Sequence, residues 1–219
     1  MAKPLETIEI ETAPNPSSAI IWLHGLGADG NDFVPVVPDL GLHGKAVRFV
    51  FPHAPMQAVT INAGMVMRAW YDIADAAIRR EDAAGVEASR GQVETLIARE
   101  QGRGIPESQI VLAGFSQGGA IALHTGLRHA GRLAGVLALS CYLPLADRLP
   151  GEVSALNRDV PIFMAHGLSD PIVPFARAVE SRDFLQQLGY ALEWHQYPMP
   201  HAVCLEEIHD IGAWLARRV

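Results

Sequence analysis

Apolar positions fall in two rhythms along this chain, and their alternation predicts its architecture. Ala19–Leu23, Ala46–Phe51, Gln109–Ala113, Gly135–Ser140 and Pro161–Ala165 are short, near-continuous apolar runs. Such runs suit parallel strands covered on both faces. Thr7–Glu11 reads as a weak opening strand, and Ala191–Tyr197 alternates (Leu192, Trp194 and Gln196 against Glu193, His195 and Tyr197), as a strand nearer an edge does. Helical stretches are expected near Val86–Gln101, Gln117–Ala130, Phe175–Leu188 and Ala202–Arg218. The second of these shows Leu123, Gly126, Leu127 and Ala130 on one face, and the last shows Cys204, Ile208, Ile211 and Leu215. Arg217 and Arg218 fall in its final turn, where positive charge is favourable. Strands alternating with helices predict an α/β fold, a doubly wound, mostly parallel sheet with helices on both faces. No repeat, low-complexity segment or linker interrupts residues 1–219, so a single domain is expected. Pro52–Asp75 breaks the pattern. It is rich in Pro, Met, Trp and Gly without clean periodicity, and reads as an excursion over the strand ends, where such sheets bind ligands.

Composition narrows the function classes. With 219 residues, 49% of them hydrophobic and 19% charged, the chain has ordinary globular content. A length like this buries roughly 70% of the unfolded surface around one core. The balance is 24 acidic against 17 basic residues, a net −7 with no basic cluster. That argues against a nucleic-acid partner and gives no electrostatic help at an anionic membrane. Met1–Glu6 lacks the apolar core of a signal peptide, and no apolar stretch approaches the ~20 residues that span a bilayer. The expectation is a cytoplasmic protein without stable membrane insertion. Cys141 and Cys204 fit that compartment better than a disulfide framework, and Cys204, on the apolar helix face, reads as a buried structural thiol. The nine histidines are scattered, with no H-E-x-x-H and no His/Cys cluster at ligand spacing, so no metal and no cofactor are expected.

The chemistry concentrates at Gly114-Phe115-Ser116-Gln117-Gly118, set between an apolar run and a helical stretch. A serine on a sharp strand-to-helix turn has its hydroxyl exposed by a strained backbone, and flanking glycines remove side chains that would collide there. The hydroxyl needs a base to take its proton and a third group to orient that base. A nucleophile on such a turn is followed in sequence by the acid and then the histidine. Of Asp147, Asp159, Asp170 and Asp183, only Asp170 sits just past the end of a strongly apolar strand, between the turn residues Gly167 and Pro171. Asp147 precedes a Pro-rich stretch, Asp159 stands before the strand and Asp183 is mid-helix. Among the later histidines, His195 lies inside a strand and His209 on the polar side of the last helix, whereas His201 follows the stiff Pro198-Met199-Pro200 loop. Ser116, Asp170 and His201 are therefore the candidate nucleophile, acid and base. For the oxyanion, the turn offers the N–H of Gln117, and the glycine-rich His24–Gly30 loop after Ala19–Leu23 nominates Leu26 or a neighbour. A phosphate-binding reading of that loop fails, because its glycine spacing is wrong and no Walker lysine follows. Met56, Met65, Met67 and Trp70 offer an adaptable apolar lining for an acyl group, or plain packing. His24, His53 and His166, each beside turn residues, are expected to bond loop backbone, and His124 and His129 to pack or lie at the surface.

Taken together, Ile20–Gly30, Phe51–Pro55, Gly64–Ile73, Gly114–Ala120, His166–Pro174 and Pro200–Ile208 resemble the carboxylesterase/acyl-protein thioesterase family of small α/β-hydrolases, over nearly the whole chain. The resemblance implies Ser116, Asp170 and His201 as triad, and Leu26 and Gln117 as oxyanion donors. It implies a short lid and acyl groove near Pro55–Trp70, with Met65 and Trp70 toward substrate, and frequent homodimers. The expected activity is a serine carboxylesterase on small-molecule carboxylic esters of short to medium chain length. An acyl-thioester substrate, as for an acyl-protein thioesterase, or a lysophospholipase activity is the alternative. One departure is Cys141, after Ser140, where family members often carry glycine.

Overall fold

A computed structural model describes residues 5–75 and 81–219. The opening residues Met1–Pro4, read above for a leader, lie outside the described residues. Every strand read from the apolar runs is present. The order along the chain is β1 (Thr7–Glu11), β2 (Ser18–Leu23), β3 (Val47–Pro52), β4 (Met56–Val59), β5 (Met65–Arg68), α1 (Ala83–Gly102), β6 (Ile110–Phe115) and α2 (Gln117–Gly126). Then come β7 (Gly135–Leu139), a one-turn α3 (Leu149–Glu152), β8 (Ile162–Gly167), α4 (Phe175–Gln187), β9 (Leu192–Tyr197) and α5 (Leu205–Leu215).

Seven strands form one sheet in the order β1-β3-β2-β6-β7-β8-β9. β1 runs antiparallel to β3, with Thr7 opposite Pro52, and every other neighbour is parallel. Strand alternation splits the core into two layers. Ile21, Leu112, Val136 and Ile162 face the side that also holds Val93 of α1, Leu123 of α2 and Leu185 of α4. Ile20, Val111, Leu137 and Phe163 face Trp214 of α5 and Leu40, at the end of the 3-10 stretch Val34–Leu40. The doubly wound expectation therefore holds, with β9 at an edge.

Local chemistry sets the element ends. Asp82 caps α1, its Oδ1 accepting from the Gly85 amide at 2.9 Å. α2 stops at Gly126 rather than Ala130, and all ten of its residues are buried, so its single apolar face was an underestimate. α5 starts at Leu205 because His201–Cys204 form a loop, and it ends at Leu215, short of Arg217 and Arg218. Cys204, the N-cap of α5, is half-buried rather than buried, and Cys141 is buried. The excursion contains an antiparallel hairpin, β4 with β5, which the irregular sequence did not suggest. Among the described residues no helix is long and apolar enough to cross a membrane.

One buried acid stands outside this economy. Glu207 on α5 is fully buried, and neither carboxyl oxygen makes a hydrogen bond. Burial pushes its pKa up to about 8; the nearby Cys204 amide offsets part of this and Asp210 reinforces it. A carboxyl ionised near 4.5 when unfolded, but only near 8 when folded, leaves the native state holding the extra proton between those values. Stability contributed by the neutral acid is present below pH 4.5 and lost as pH rises through 8. Thermal melts across this range are expected to show a shallower decline for Glu207→Gln than for the parent, with equal slopes counting against the assignment.

Candidate active site

β6 ends in the middle of the sheet, and Ser116 stands at its C-terminal tip with φ 54° and ψ −121°. An L-residue adopts this conformation only when its surroundings impose it. Here they do. A Cβ on Gly114 would lie 2.4 Å from the Gly118 carbonyl group, and one on Gly118 would lie 2.4 Å from the Leu23 carbonyl oxygen. The two glycines let α2 turn back directly over the ends of β6 and β2. The Ser116 amide donates to Leu139 O at 2.8 Å, and its carbonyl accepts from the Ala120 amide at 3.0 Å.

The candidate acid and base arrive from the other half of the sheet. Asp170 follows β8, and its side chain is fully buried. Its Oδ1 accepts from the amides of Ile172 (2.8 Å) and Val173 (2.9 Å), which fixes the carboxylate plane. His201 Nδ1–H donates to Asp170 Oδ2 at 2.7 Å. With that proton on Nδ1, Nε2 carries the lone pair and accepts from Ser116 Oγ–H at 2.9 Å. The two loops are bonded to each other, the Leu168 amide to Tyr197 O (2.9 Å) and the Ser169 amide to Met199 O (3.2 Å). Gly167 permits the approach, because a Cβ there would sit 2.4 Å from the carbonyl oxygens of Met199 and Pro200. His166 Nε2–H donates to Val173 O at 2.9 Å, and burial lowers its pKa, keeping this neighbour of Asp170 neutral.

The loop after β2 carries Leu26, the second candidate oxyanion donor. Gly27 N–H donates to Arg68 O (2.9 Å) and Ala28 N–H to Gly25 O (3.3 Å), while among the described residues the Leu26 amide has no acceptor. The Gln117 amide opens α2, so it too lacks a helical acceptor. Leu26, Gln117, Ser116 and His201 line one cleft of about 450 Å³. His24 holds the loop in place. Its Nδ1–H donates to Gly25 O at 2.7 Å, its Nε2 accepts from the Ala54 amide at 3.0 Å, and burial lowers its pKa. His53 accepts from the Gly30 amide at 3.1 Å, so all three loop histidines bond backbone as expected. His124 and His129 pack in the interior, one of the two expected placements, and bond Glu87 (2.9 Å) and Glu94 (2.6 Å) of α1. His195 stacks on Phe163, and His209 is exposed.

Two expected lining residues stand elsewhere. Trp70 is 1% exposed, its indole N–H donating to His24 O (2.9 Å) and its amide to Gln117 Oε1 (2.7 Å). Those bonds tie it beneath the oxyanion loop, so it braces the site rather than walling it. Met65 is 64% exposed at the tip end of the β4–β5 hairpin, off the cleft wall. The wall is built instead from Ile61, Tyr71, Ile73, Tyr142, Ile172 and Val173. Ile61, Tyr71 and Ile73 fall inside the excursion, and Ile172 and Val173 inside the His166–Pro174 string, but no local pattern distinguishes them from packing residues. Asp32 also lines the cleft, its pKa raised by burial and by Asp29. Cys141 packs against α2, its Sγ 3.0 Å from where a Cβ on Gly119 would lie, and burial raises the thiol pKa far above the ordinary range. Among the described residues no group of three or more His, Cys, Asp or Glu could hold a metal ion.

Residues 5–218 match the profile of the phospholipase/carboxylesterase family. The chain belongs to that family of α/β-hydrolases. It is similar to acyl-protein thioesterase 1 of Neurospora crassa, 40% identical over 93% of this chain and 87% of the relative. Acyl-protein thioesterase 1 of Yarrowia lipolytica is 36% identical over 99% of this chain and 98% of its own. The crystal structure of Zea mays acyl-protein thioesterase 2 superposes with a TM-score of 0.87 at 26% identity, covering 97% and 98% of the two chains. Membership makes this a serine hydrolase of esters or thioesters.

The turn geometry generates a direct test. Gly118→Ala forces a methyl group into the Leu23 carbonyl, and overpacking of this kind costs about 1–3 kcal/mol. A lowered melting temperature together with loss of most ester turnover is expected. A variant with parental activity would mean that the close approach is not required.

Proposed function

We propose that the protein is a carboxylesterase that cleaves short- to medium-chain carboxylic esters through an acyl-Ser116 intermediate. The observation that carries this reading is the continuous relay of Ser116, His201 and Asp170 at 2.9 and 2.7 Å, opening on an apolar cleft. His201 Nε2 takes the serine proton as Oγ attacks the carbonyl carbon. The negative charge moves to the carbonyl oxygen, where the amides of Leu26 and Gln117 are the donors at hand. Collapse of the adduct expels the alcohol, which takes the proton from His201 Nε2. Water then repeats the sequence against the acyl-serine, returning the acid and the free hydroxyl. Asp170 keeps the imidazole in the required tautomer and favours the imidazolium as it forms.

The cleft of about 450 Å³ supports the chain-length reading. It lies toward the lower end of the roughly 300–1,000 Å³ typical of small-ligand sites. An acyl-protein thioesterase activity is the second reading, favoured by the names of the relatives at 36–40% identity. The two readings share every chemical step and differ only in the leaving atom, oxygen or sulfur. A homodimer and cytoplasmic residence belong to this proposal as well, resting on the resemblance and the composition. So does a single-domain organisation with residues 52–75 as lid.

Replacing Ser116 with Ala is expected to lower kcat by on the order of 10⁶, and Asp170→Asn by about 10⁴. An active-serine fluorophosphonate probe should label the parent at Ser116 and spare the alanine variant; ester hydrolysis retained by that variant would falsify the assignment. A panel of p-nitrophenyl esters of increasing chain length, run beside an S-palmitoyl peptide, separates the two substrate readings. The highest kcat/KM is expected for short to medium esters, and activity confined to the palmitoyl thioester would overturn the first reading in favour of the second.

A further inference from the structure

We propose that Tyr71 and Tyr142 together form a hydrogen-bond donor in the cleft wall that selects substrates bearing an oxygen acceptor in the acyl chain or the alcohol. This deepens the reading of Ser116 as nucleophile and rests on it. Tyr71 comes from the excursion after β5 and Tyr142 from the loop after β7, and both line the cleft beside Ser116 and Gln117. Their hydroxyl oxygens are 2.9 Å apart. The residues are 2% and 4% exposed.

Proton accounting carries the argument. Each phenol holds one donor proton, so the pair holds two, and the contact between them uses one. Among the described residues no second acceptor meets either hydroxyl. Glu81, the nearby acid, has both carboxyl oxygens on the Leu145 amide at 3.2 Å. The Arg177 guanidinium, 5.4 Å over the Tyr142 ring, can only donate. Burial raises the pKa of both phenols, that of Tyr142 to about 12, so neither loses its proton in neutral solution. Among the described residues one O–H is therefore left over, and such a group in a buried setting favours whatever supplies an acceptor.

The pair is also held in position. Gln117 Nε2–H donates to Tyr71 O at 2.7 Å, and Ser181 Oγ accepts from the amide of Leu143, next to Tyr142, at 2.9 Å. Ile61, Ile73, Ile172 and Val173 supply apolar surface to the same cleft, whose other polar lining includes Asp32, Asn62 and Asp75. An all-carbon chain leaves the donor unmet there. An ether or keto oxygen at the right position meets it.

The test is a positional series of activated esters in which an ether or keto oxygen replaces a methylene group, first along the acyl chain and then along the alcohol. Each kcat/KM is divided by the ester's alkaline hydrolysis rate and compared with that of the all-carbon isostere. At one oxygen position the parent enzyme is expected to favour the oxygenated ester by roughly three- to tenfold. The double variant Tyr71→Phe/Tyr142→Phe should bring that ratio close to one, whatever it does to the absolute rate. The series with the maximum identifies which arm of the substrate meets the phenols. Flat series in the parent, or a preference that persists in the double variant, overturn the proposal. Should the double variant fail to fold, the parent's positional series decides alone, a maximum supporting the assignment and a flat profile sinking it. Fluorophosphonate labelling of the same preparations reports on Ser116 separately, so a labelled enzyme with flat series refutes the tyrosine assignment alone.

Discussion

The site depends on one backbone constraint, the left-handed conformation of Ser116 at the tip of the central strand. Such a residue costs of order 1–3 kcal/mol and persists only when its neighbours over-determine it. Three sets of contacts do so here. The Ser116 amide is bonded across to β7, its carbonyl is the first acceptor of α2, and α2 is wedged against β2 by the missing side chain of Gly118. Relaxing the serine would require α2 to lift off the sheet. Because α2 is buried on every side, that movement would open the core. The stability of the whole core therefore stands behind the exposure of a single hydroxyl.

The same turn organises what surrounds it. Gln117 carries two separate duties that follow from its position as first residue of α2. It lines the cleft with an amide that has no helical acceptor, and its side chain bonds Trp70 N–H and Tyr71 O. Through those bonds the excursion after β3 is tied to the nucleophile turn. Trp70 then returns to the oxyanion loop by bonding His24 O, and His24 bonds Ala54 at the start of the excursion. The circuit runs from α2 to the excursion, to the loop after β2 and back. It holds the two candidate oxyanion amides in register without a charged group, which suits a site where the developing charge belongs on the substrate.

Strands, helices and the three candidate side chains that the fold brings together were legible in the sequence because each leaves a strong local mark. Buried parallel strands leave unbroken apolar runs, the turn leaves Gly114 and Gly118, and strand-end loops leave Gly167, Pro171 and Pro198-Met199-Pro200. The cleft wall leaves no such mark. Ile61, Ile73 and Ile172 resemble any apolar residue in a loop, and their common location follows from three separate chain segments meeting over the sheet. Trp70 misled because a large apolar side chain near a site suggests a lining, whereas its indole N–H found a buried backbone acceptor and drew it underneath. The hairpin was hidden for a related reason. β4 and β5 pair mainly with each other, away from the main sheet, so neither strand has to alternate strictly.

This division between marked and unmarked residues bears on how specificity is set. Attack by the serine hydroxyl, charge on the oxyanion and proton return by the imidazole are the same for an ester and a thioester. The residues proposed for those steps follow the ends of four sheet strands or open α2, and any shift in them would disturb the core. Choice among substrates must then come from residues free to vary without that penalty. Ile61, between β4 and β5, and Ile172, in the loop before α4, are such residues, being 41% and 62% exposed at the cleft. Tyr71 and Tyr142 are different again, buried and mutually bonded, so their contribution is a fixed polar point in an otherwise adaptable wall. A cleft with a rigid reacting centre, one fixed donor and a soft apolar rim discriminates by where along a chain its polar atoms fall, more than by overall size.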